Sequence, residues 1–234
     1  MDAADRSAFE ASGFATDLPA VARDELAATG VARDVRRRDR LFHQGDPADS
    51  FWFVVRGRVK LTQVGADGQE VVIRFFGPGE IFGGIALVPG ASYPVNAEVV
   101  ENGRLLLWPR AAVAAVAGAH PQLALKTTGA IAERMRELQD RFRELATERV
   151  AQRVARALVR LTRQAGRRTD EGILIDLPLS RQDLAEMTGT TLFTVSRLLS
   201  GWETDGILAV GRQKVVVRNP HRLVAIAEDL QPRG

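Results

Sequence analysis

Apolar and polar residues in the N-terminal half follow the short, alternating pattern of β-strands. Runs rich in valine, isoleucine and phenylalanine extend from Arg40 to about Leu107 and are separated by turns that contain glycine, proline or aspartate. Short strands at such regular spacing predict a small antiparallel β-roll or barrel. A short helix over residues 18–28 is predicted to precede it. The individual strands are predicted at Ser50–Val55, Arg58–Val64, Glu70–Phe76 and Arg104–Trp108, with Arg56-Gly57 as one of the reversals.

The pattern becomes helical after Pro121 and narrows to an apolar stripe. Successive members of the stripe are separated by four, three, four and three residues, which is the heptad spacing of a coiled coil, and the positions between them are strongly polar. We therefore expect this helix to pair with a second copy of the chain. An amphipathic helix that packs on its own domain is the alternative. The predicted dimer interface consists of Ile131, Met135, Leu138, Phe142 and Leu145.

A second helix is predicted from Arg149 to near Gly166, followed by a polar loop over residues 167–172 and a short strand at Ile173–Leu177. The fold class is therefore α+β. The predicted domains are a β-roll sensor domain (1–122), a dimerisation helix (123–147) and a C-terminal domain (148–234).

The segment from Leu179 to Leu208 has the features of a helix-turn-helix. Ser180 is suited to cap a helix, with Asp183 three residues later to complete a capping box. Gly189 supplies the tight turn between two helices. The second helix, about Thr191 to Glu203, then carries hydroxyl groups and an arginine on its outward first turns, where a recognition helix meets base edges and phosphates.

A hairpin around Gly211-Arg212 is predicted to form the wing, so that the winged domain spans about residues 149–218. We assign Arg197 to direct base contact, because arginine to guanine is the commonest specific pair, and most of the other polar residues to phosphates. A helical hairpin that only packs is the alternative. The candidate DNA-binding residues are Ser180, Arg181, Gln182, Thr190, Thr191, Phe193, Thr194, Ser196, Arg197, Arg212 and Lys214.

Composition removes several classes of function. The 234 residues include no cysteine, which excludes disulfides, thiolate catalysis and a cysteine-ligated iron–sulfur cluster. The longest uncharged run, Ala111 to Leu125, is shorter than the ~20 residues that a spanning helix needs, and the first residues lack a signal core. We therefore expect a cytoplasmic protein without a membrane segment. A net charge of +3 is too small to indicate nucleic acid binding by itself.

The order of these parts resembles the catabolite-activator / fumarate-nitrate regulator (CRP/FNR) superfamily of transcription regulators. The stretches DRLFHQGDPADSFWFVVRGRVKL and PGEIFGGIAL in the roll carry the resemblance, together with the helix-turn-helix. It implies a homodimer in which an effector binds between the roll and the long helix. Two recognition helices would then be presented to a palindromic operator in double-stranded DNA, with half-sites about 34 Å apart. It also implies RNA polymerase as a partner.

The chain departs from the cyclic-nucleotide-binding members of that superfamily. Those members carry a glutamate for the ribose and an arginine for the cyclic phosphate, whereas Gly84, Tyr93 and Pro94 occupy these positions here. Without the arginine a phosphate lacks its charge partner, which argues against cyclic AMP. The hydroxyl pair of the long helix is also missing. The candidate effector-pocket residues are Phe82, Gly83, Gly84, Ile85, Tyr93, Pro94, Arg134 and Met135.

The cofactor stays unknown, and two alternatives are kept beside an unidentified effector. One is a haem-based gas sensor, because the Tyr93-Pro94-Val95 segment resembles that of nitrate-respiration regulators; its only candidate histidine ligands are His43, His120 and His221. The other is a DNA-binding regulator that needs no effector.

The predicted recognition helix departs from the family pattern as well. Leu192-Phe193 stands where many members carry an Arg–Glu pair, so Phe193 offers an apolar contact to a thymine methyl group instead.

A cupin-like metalloenzyme is a remote alternative. The roll has no paired histidines at ligand spacing, and we assign no catalytic residue and no metal site.

Overall fold

The computed structural model describes residues 1–230, except for the side chain of Ala124. The helices are α1 (Ala3–Glu10), α2 (Ala20–Thr29), α3 (Arg110–Ala119), α4 (Pro121–Thr147), α5 (Val150–Ala165), α6 (Arg181–Thr188), α7 (Leu192–Thr204) and α8 (Pro220–Ala227). The strands are β1 (Val31–Val35), β2 (Arg40–Phe42), β3 (Ser50–Val64), β4 (Glu70–Phe76), β5 (Ile81–Phe82), β6 (Asn96–Pro109), β7 (Gly166–Thr169), β8 (Gly172–Ile175), β9 (Leu208–Gly211) and β10 (Lys214–Val217).

The chain divides into two compact units, Met1–Arg136 and Glu137–Gly234, and the division falls inside α4. The last four residues of the predicted 148–234 domain, 231–234, lie outside the described residues. No helix within residues 1–230 has both the length and the apolar character needed to cross a bilayer.

The first unit is built on an antiparallel sheet in the order β1-β6-β3-β4, with β2 paired to β6 and β5 paired to β3. Because successive side chains of a strand point to opposite faces, β3 serves two cores at once. Phe51 and Phe53 lie in a core shared with the N-terminal helices, whereas Trp52 and Val54 lie inside the roll. The predicted α+β fold, with a β-roll, a long helix and a C-terminal helix-turn-helix, is confirmed.

The separate strands predicted at Ser50–Val55 and Arg58–Val64 are wrong, because β3 runs through both without a reversal. Gly57 has a φ of +85°, and a Cβ atom on it would lie 2.7 Å from the Cα atom of Gly103 on the neighbouring strand. Register shifts in the β3–β6 pairing on both sides of Gly57 identify the site as a bulge. Glycine is therefore needed there for close approach of two strands and not for a turn.

An ion-pair cluster holds α1 against the sheet. Arg104 on β6 donates to both carboxylate oxygens of buried Asp5, at 2.8 and 3.0 Å, and also contacts Asp2 and Asp34. Hydrogen bonding to Asp5 is the largest cause of the raised pKa of Arg104. Neither α1 nor α3 is predicted from the sequence pattern; α3 is apolar at nearly every position, so no helical period of apolar and polar residues is visible in it.

The second unit packs α5, α6, α7 and α8 around buried aliphatic side chains such as Leu158, Leu184 and Leu199. Its sheet has the order β7-β8-β10-β9. The loop predicted over residues 167–172 is wrong, because Arg167 to Thr169 pair with β8. An edge strand exposes one row of side chains and backbone groups to water. A run of polar residues can therefore form such a strand as well as a loop.

Candidate nucleic-acid interface

The first helix of the helix-turn-helix, α6, begins at the predicted capping box. Ser180 Oγ accepts a hydrogen bond from the Asp183 amide at 3.0 Å, and the Asp183 carboxylate accepts one from the Ser180 amide at 2.9 Å. The two bonds satisfy amides that a helix start leaves without partners. Arg181 and Gln182 follow on the exposed surface of the first turn, where Gln182 donates to Glu186.

The turn between α6 and α7 forms at Gly189, as the sequence predicts. Gly189 is the C-cap of α6 and adopts the left-handed conformation, with φ of +60° and ψ of +48°. A side chain would be strained in this conformation, and a Cβ atom there would approach Leu145 Cδ2 to 3.0 Å. Thr190, half-buried, continues the turn to Thr191.

The second helix, α7, separates an apolar face from a polar one. Val195 and Leu199 are fully buried and Trp202 is 7% exposed, so these residues attach the helix to its unit. Thr191 caps the helix, with its Oγ1 accepting from the Thr194 amide at 3.2 Å. Both threonine hydroxyls are also within 3.0 Å of each other, so the predicted phosphate contacts belong to an ordered helix start.

The outward face of α7 carries the side chains that the sequence assigns to DNA. Phe193 is 75% exposed, Arg197 is exposed one turn later, and Ser196 between them is partly exposed. Residues four positions apart lie on the same side of a helix. The structure therefore brings Phe193 and Arg197 together on the side opposite Trp202.

The wing is a two-stranded hairpin made by β9 and β10, in which Gly211 pairs with Lys214. The turn residues are Arg212 and Gln213, one position later than the predicted Gly211-Arg212 turn, because Gln213 takes the left-handed conformation at φ +56°. Arg212 and Lys214 are both exposed at this tip. Across residues 1–230, no carboxylate forms an ion pair with Arg181, Arg197, Arg212 or Lys214.

One residue that the sequence pattern does not predict holds the turn in place. Arg153 on α5 donates to the carbonyl oxygens of Thr188 at 2.9 Å, Gly189 at 3.4 Å and Glu148 at 2.8 Å. An arginine on a polar helix face gives no signal of such a role in the sequence. Its fork of donors suits several carbonyls at once.

A second unpredicted contact is the ion pair between α4 and α5. Glu144 is 5% exposed, and its Oε1 accepts from Arg160 Nη1 at 2.6 Å and lies 3.9 Å from Arg156. Arg156 also pairs with Glu148 at 3.1 Å and donates to the Ala227 carbonyl. These contacts fix the end of α4 to the helices of the second unit.

The predicted effector-pocket residues have different environments. Phe82 is buried, with Phe76 at 5.4 Å between ring centroids, and Arg134 lies 5.5 Å from the Phe76 ring. Met135 is 56% exposed. Gly83 has a φ of +79°. The remaining pocket residues Gly84 and Ile85 belong to a 3₁₀ helix, Gly84–Leu87, and Pro94 is exposed.

Tyr93 stabilises the roll through its ring and its hydroxyl group. It is 2% exposed, its ring stacks on Phe42 at 3.6 Å between centroids, and its hydroxyl donates to the Ser50 carbonyl at 2.7 Å and accepts from the Ser50 amide at 3.1 Å. Burial is the main cause of its raised pKa. The hydroxyl therefore has its partners within the roll.

The heptad stripe on α4 is exposed in the single chain. Each of its members is between 44% and 75% exposed. Such a row of large apolar side chains in water is costly, and a partner surface would cover it. The members are Ile131, Met135, Leu138, Phe142 and Leu145.

The three histidines lie in separate elements. His43 is exposed in the loop after β2, and His221 is exposed in the first turn of α8. His120, between α3 and α4, has its Nε2 atom 3.2 Å from a carboxylate oxygen of Glu25.

Known proteins match the same two regions. A model of the cyclic nucleotide-binding domain matches residues 32–120, and a model of the Crp-like helix-turn-helix domain matches residues 152–226. The chain is 31% identical over 192 residues to the global nitrogen regulator of Synechocystis sp., covering 81% of this chain and 85% of the relative. It is 32% identical over 187 residues to the cyclic AMP receptor protein of Thermus thermophilus, covering 80% and 83%.

A solved structure extends the similarity to three dimensions. The structure of FixK2 from Bradyrhizobium japonicum superposes with a TM-score of 0.75 and 30% sequence identity, over 84% of this chain and 96% of that chain. Each of these alignments covers at least 80% of this chain. The chain therefore belongs to the CRP/FNR family of DNA-binding transcription regulators.

Proposed function

We propose that this regulator acts as a homodimer on a palindromic operator, with Arg197 as its principal base-reading residue. The single observation that carries the proposal is the outward face of α7, which presents Arg197 opposite the buried Val195 and Leu199 and without an ion-pair partner among residues 1–230. Arginine pairs with guanine O6 and N7 through two parallel hydrogen bonds. The exposed wing residues Arg212 and Lys214 suit phosphates on the flanking backbone.

The homodimer rests on the exposed stripe of α4. Its heptad spacing matches knobs-into-holes packing against an identical helix, and a two-fold axis would place two recognition helices in successive major grooves. Phe142 is 75% exposed, so its burial against the partner helix would supply much of the apolar area of the interface. RNA polymerase as a partner stays a prediction.

We propose further that any effector differs from cyclic AMP. The position that would hold the arginine for a cyclic phosphate is Tyr93, whose hydroxyl is bonded to the Ser50 backbone and whose ring stacks on Phe42. A ligand phosphate bound at this position would have to displace the Tyr93 side chain, which would break both hydrogen bonds between its hydroxyl and the Ser50 backbone. Regulation without a small effector is the second candidate, because the side chain of Tyr93 fills this position with its own buried contacts.

Direct binding tests the proposal. Purified full-length protein is titrated onto a fluorescent duplex that carries its own promoter, at low salt, alone and with cyclic AMP, cyclic GMP or haem. We expect tight, sequence-dependent binding that cyclic AMP does not change. Failure to bind duplex DNA under every condition would contradict the function, and a large gain with cyclic AMP would contradict the effector proposal. A Soret band in the purified protein would establish the haem alternative.

A further inference from the structure

The exposure of Phe193 on α7 is not explained by the packing of this helix in the folded chain. Burial of a phenylalanine side chain is favourable, yet this side chain is 75% exposed. It lies in the first turn of a helix whose start is fixed by the Thr191 cap, so its exposure does not come from a frayed end. The buried face of α7, formed by Val195, Leu199 and Trp202, is on the opposite side.

The surroundings of Phe193 indicate what covers it. Arg197 stands one turn away on the same face, and neither it nor the wing cations Arg212 and Lys214 form an ion pair within the described chain. The wing cations complement phosphates and Arg197 is assigned to a base, so Phe193 is the apolar group of this face that can meet the floor of the groove. In the major groove the apolar group that distinguishes bases is the methyl on C5 of thymine.

We propose that Phe193 recognises a pyrimidine C5-methyl group next to the base pair read by Arg197, in thymine or in 5-methylcytosine alike. The inference rests on the proposed function and deepens it. Thymine and 5-methylcytosine carry the methyl group at the same ring position, so an apolar contact to the methyl group is the same for both bases. Phe193 would thereby make the operator's affinity depend on cytosine methylation wherever a cytosine occupies that position.

The spacing of the two residues supports adjacent readout. Residues four apart are separated by about 6 Å along a helix axis, which is less than two base-pair steps of about 3.4 Å each, so the two side chains reach base pairs that are one or two steps apart. Leu192, 48% exposed beside Phe193, extends the apolar surface toward the edge of the helix.

The test replaces single methyl groups in the DNA. The best-binding duplex is first selected from a random pool with the full-length protein. Each thymine is then exchanged for deoxyuridine symmetrically in both half-sites, and binding is measured by fluorescence anisotropy. At one position we expect a loss of about fourfold per half-site, or about 15-fold for both, as burial of one methyl-sized group implies. A duplex with 5-methylcytosine at that position should bind more tightly than a duplex with cytosine there, by a similar factor.

Three variants connect the effect to the side chain. Phe193→Ala should bind thymine and deoxyuridine duplexes equally, whereas Ser200→Ala, on the same outward face of α7, should keep the wild-type discrimination. Because Phe193 is exposed, its loss should leave the thermal unfolding midpoint unchanged. Phe193→Glu should shift the preference toward unmethylated cytosine, since a carboxylate accepts from cytosine N4.

The outcomes separate this inference from the function beneath it. Equal binding to thymine and deoxyuridine at every position, with affinity for the duplex retained, would overturn the methyl-reading role and leave the regulator intact. Retention of the discrimination in Phe193→Ala would overturn it too. Failure of the wild-type protein to select any duplex would overturn both.

Discussion

Arg153 Nε donates to the carbonyl oxygen of Thr188 at 2.9 Å, which joins α5 to the turn of the helix-turn-helix. The same guanidinium reaches the carbonyls of Gly189 and Glu148. Arg153 thus holds the turn that leads into α7. Function and stability of the second unit should both depend on it.

Substitution of Arg153 by alanine should lower the free energy of unfolding by about 1–3 kcal/mol, because carbonyl oxygens in the turn lose their donor. Binding should weaken on all DNA sequences alike. Urea unfolding and anisotropy titrations measure the two effects. Arg163→Ala, an exposed arginine of the same helix, is the matched control, and equal stability of the two variants would refute the role of Arg153.

Arg197→Ala and Arg212→Ala should affect binding in different ways. Loss of Arg197 should cost about 1–3 kcal/mol and relax specificity at one base position. Loss of Arg212 should weaken binding on every sequence and reduce the slope of affinity against salt by about 1. A panel of operators with single base changes, titrated at several salt concentrations, distinguishes them. The same uniform loss in both variants would contradict the division of roles.

Leu138→Asp should convert the proposed dimer to a monomer, because a carboxylate in an apolar seam has no partner there. Sedimentation velocity gives the mass directly. Gln139→Asp adds the same charge one position away from the stripe and should leave the dimer intact. A Leu138→Asp protein that still sediments as a dimer would show that α4 pairs through a different face or not at all.

Tyr93 should titrate above its ordinary pKa of about 10, because burial favours the neutral phenol. Its contribution to stability is complete below about pH 10 and is lost as the pH rises through the higher pKa of the folded state. Tyr93 is the only tyrosine, so tyrosinate absorbance reports this group alone. The midpoint should be higher in native protein than in guanidinium, and an identical midpoint would contradict the burial argument.

Tyr93→Phe should remove this pH dependence and cost about 1–3 kcal/mol at neutral pH, since the Ser50 amide and carbonyl lose their partner. Urea unfolding at neutral and alkaline pH measures both quantities. Stability equal to that of the wild type at neutral pH would mean that water replaces the phenol hydroxyl.

Local patterns in the sequence determined much of the helix-turn-helix. The capping box at Ser180 and Asp183, the left-handed Gly189 and the apolar face of α7 all depend on residues within a few positions of one another, and all form as predicted. The heptad spacing of α4 is likewise visible without any knowledge of the fold, and the dimer interface inferred from it stays a prediction.

Only the tertiary structure decided features that join distant parts of the chain. Gly57 looks like a turn residue in the sequence, and its role as a bulge depends on Gly103 from another strand. Arg153 and Tyr93 acquire their roles from carbonyls and amides that lie 35 and 43 residues away. The physical reason is that every residue offers the same backbone donors and acceptors, so local sequence does not specify which of them a side chain will meet.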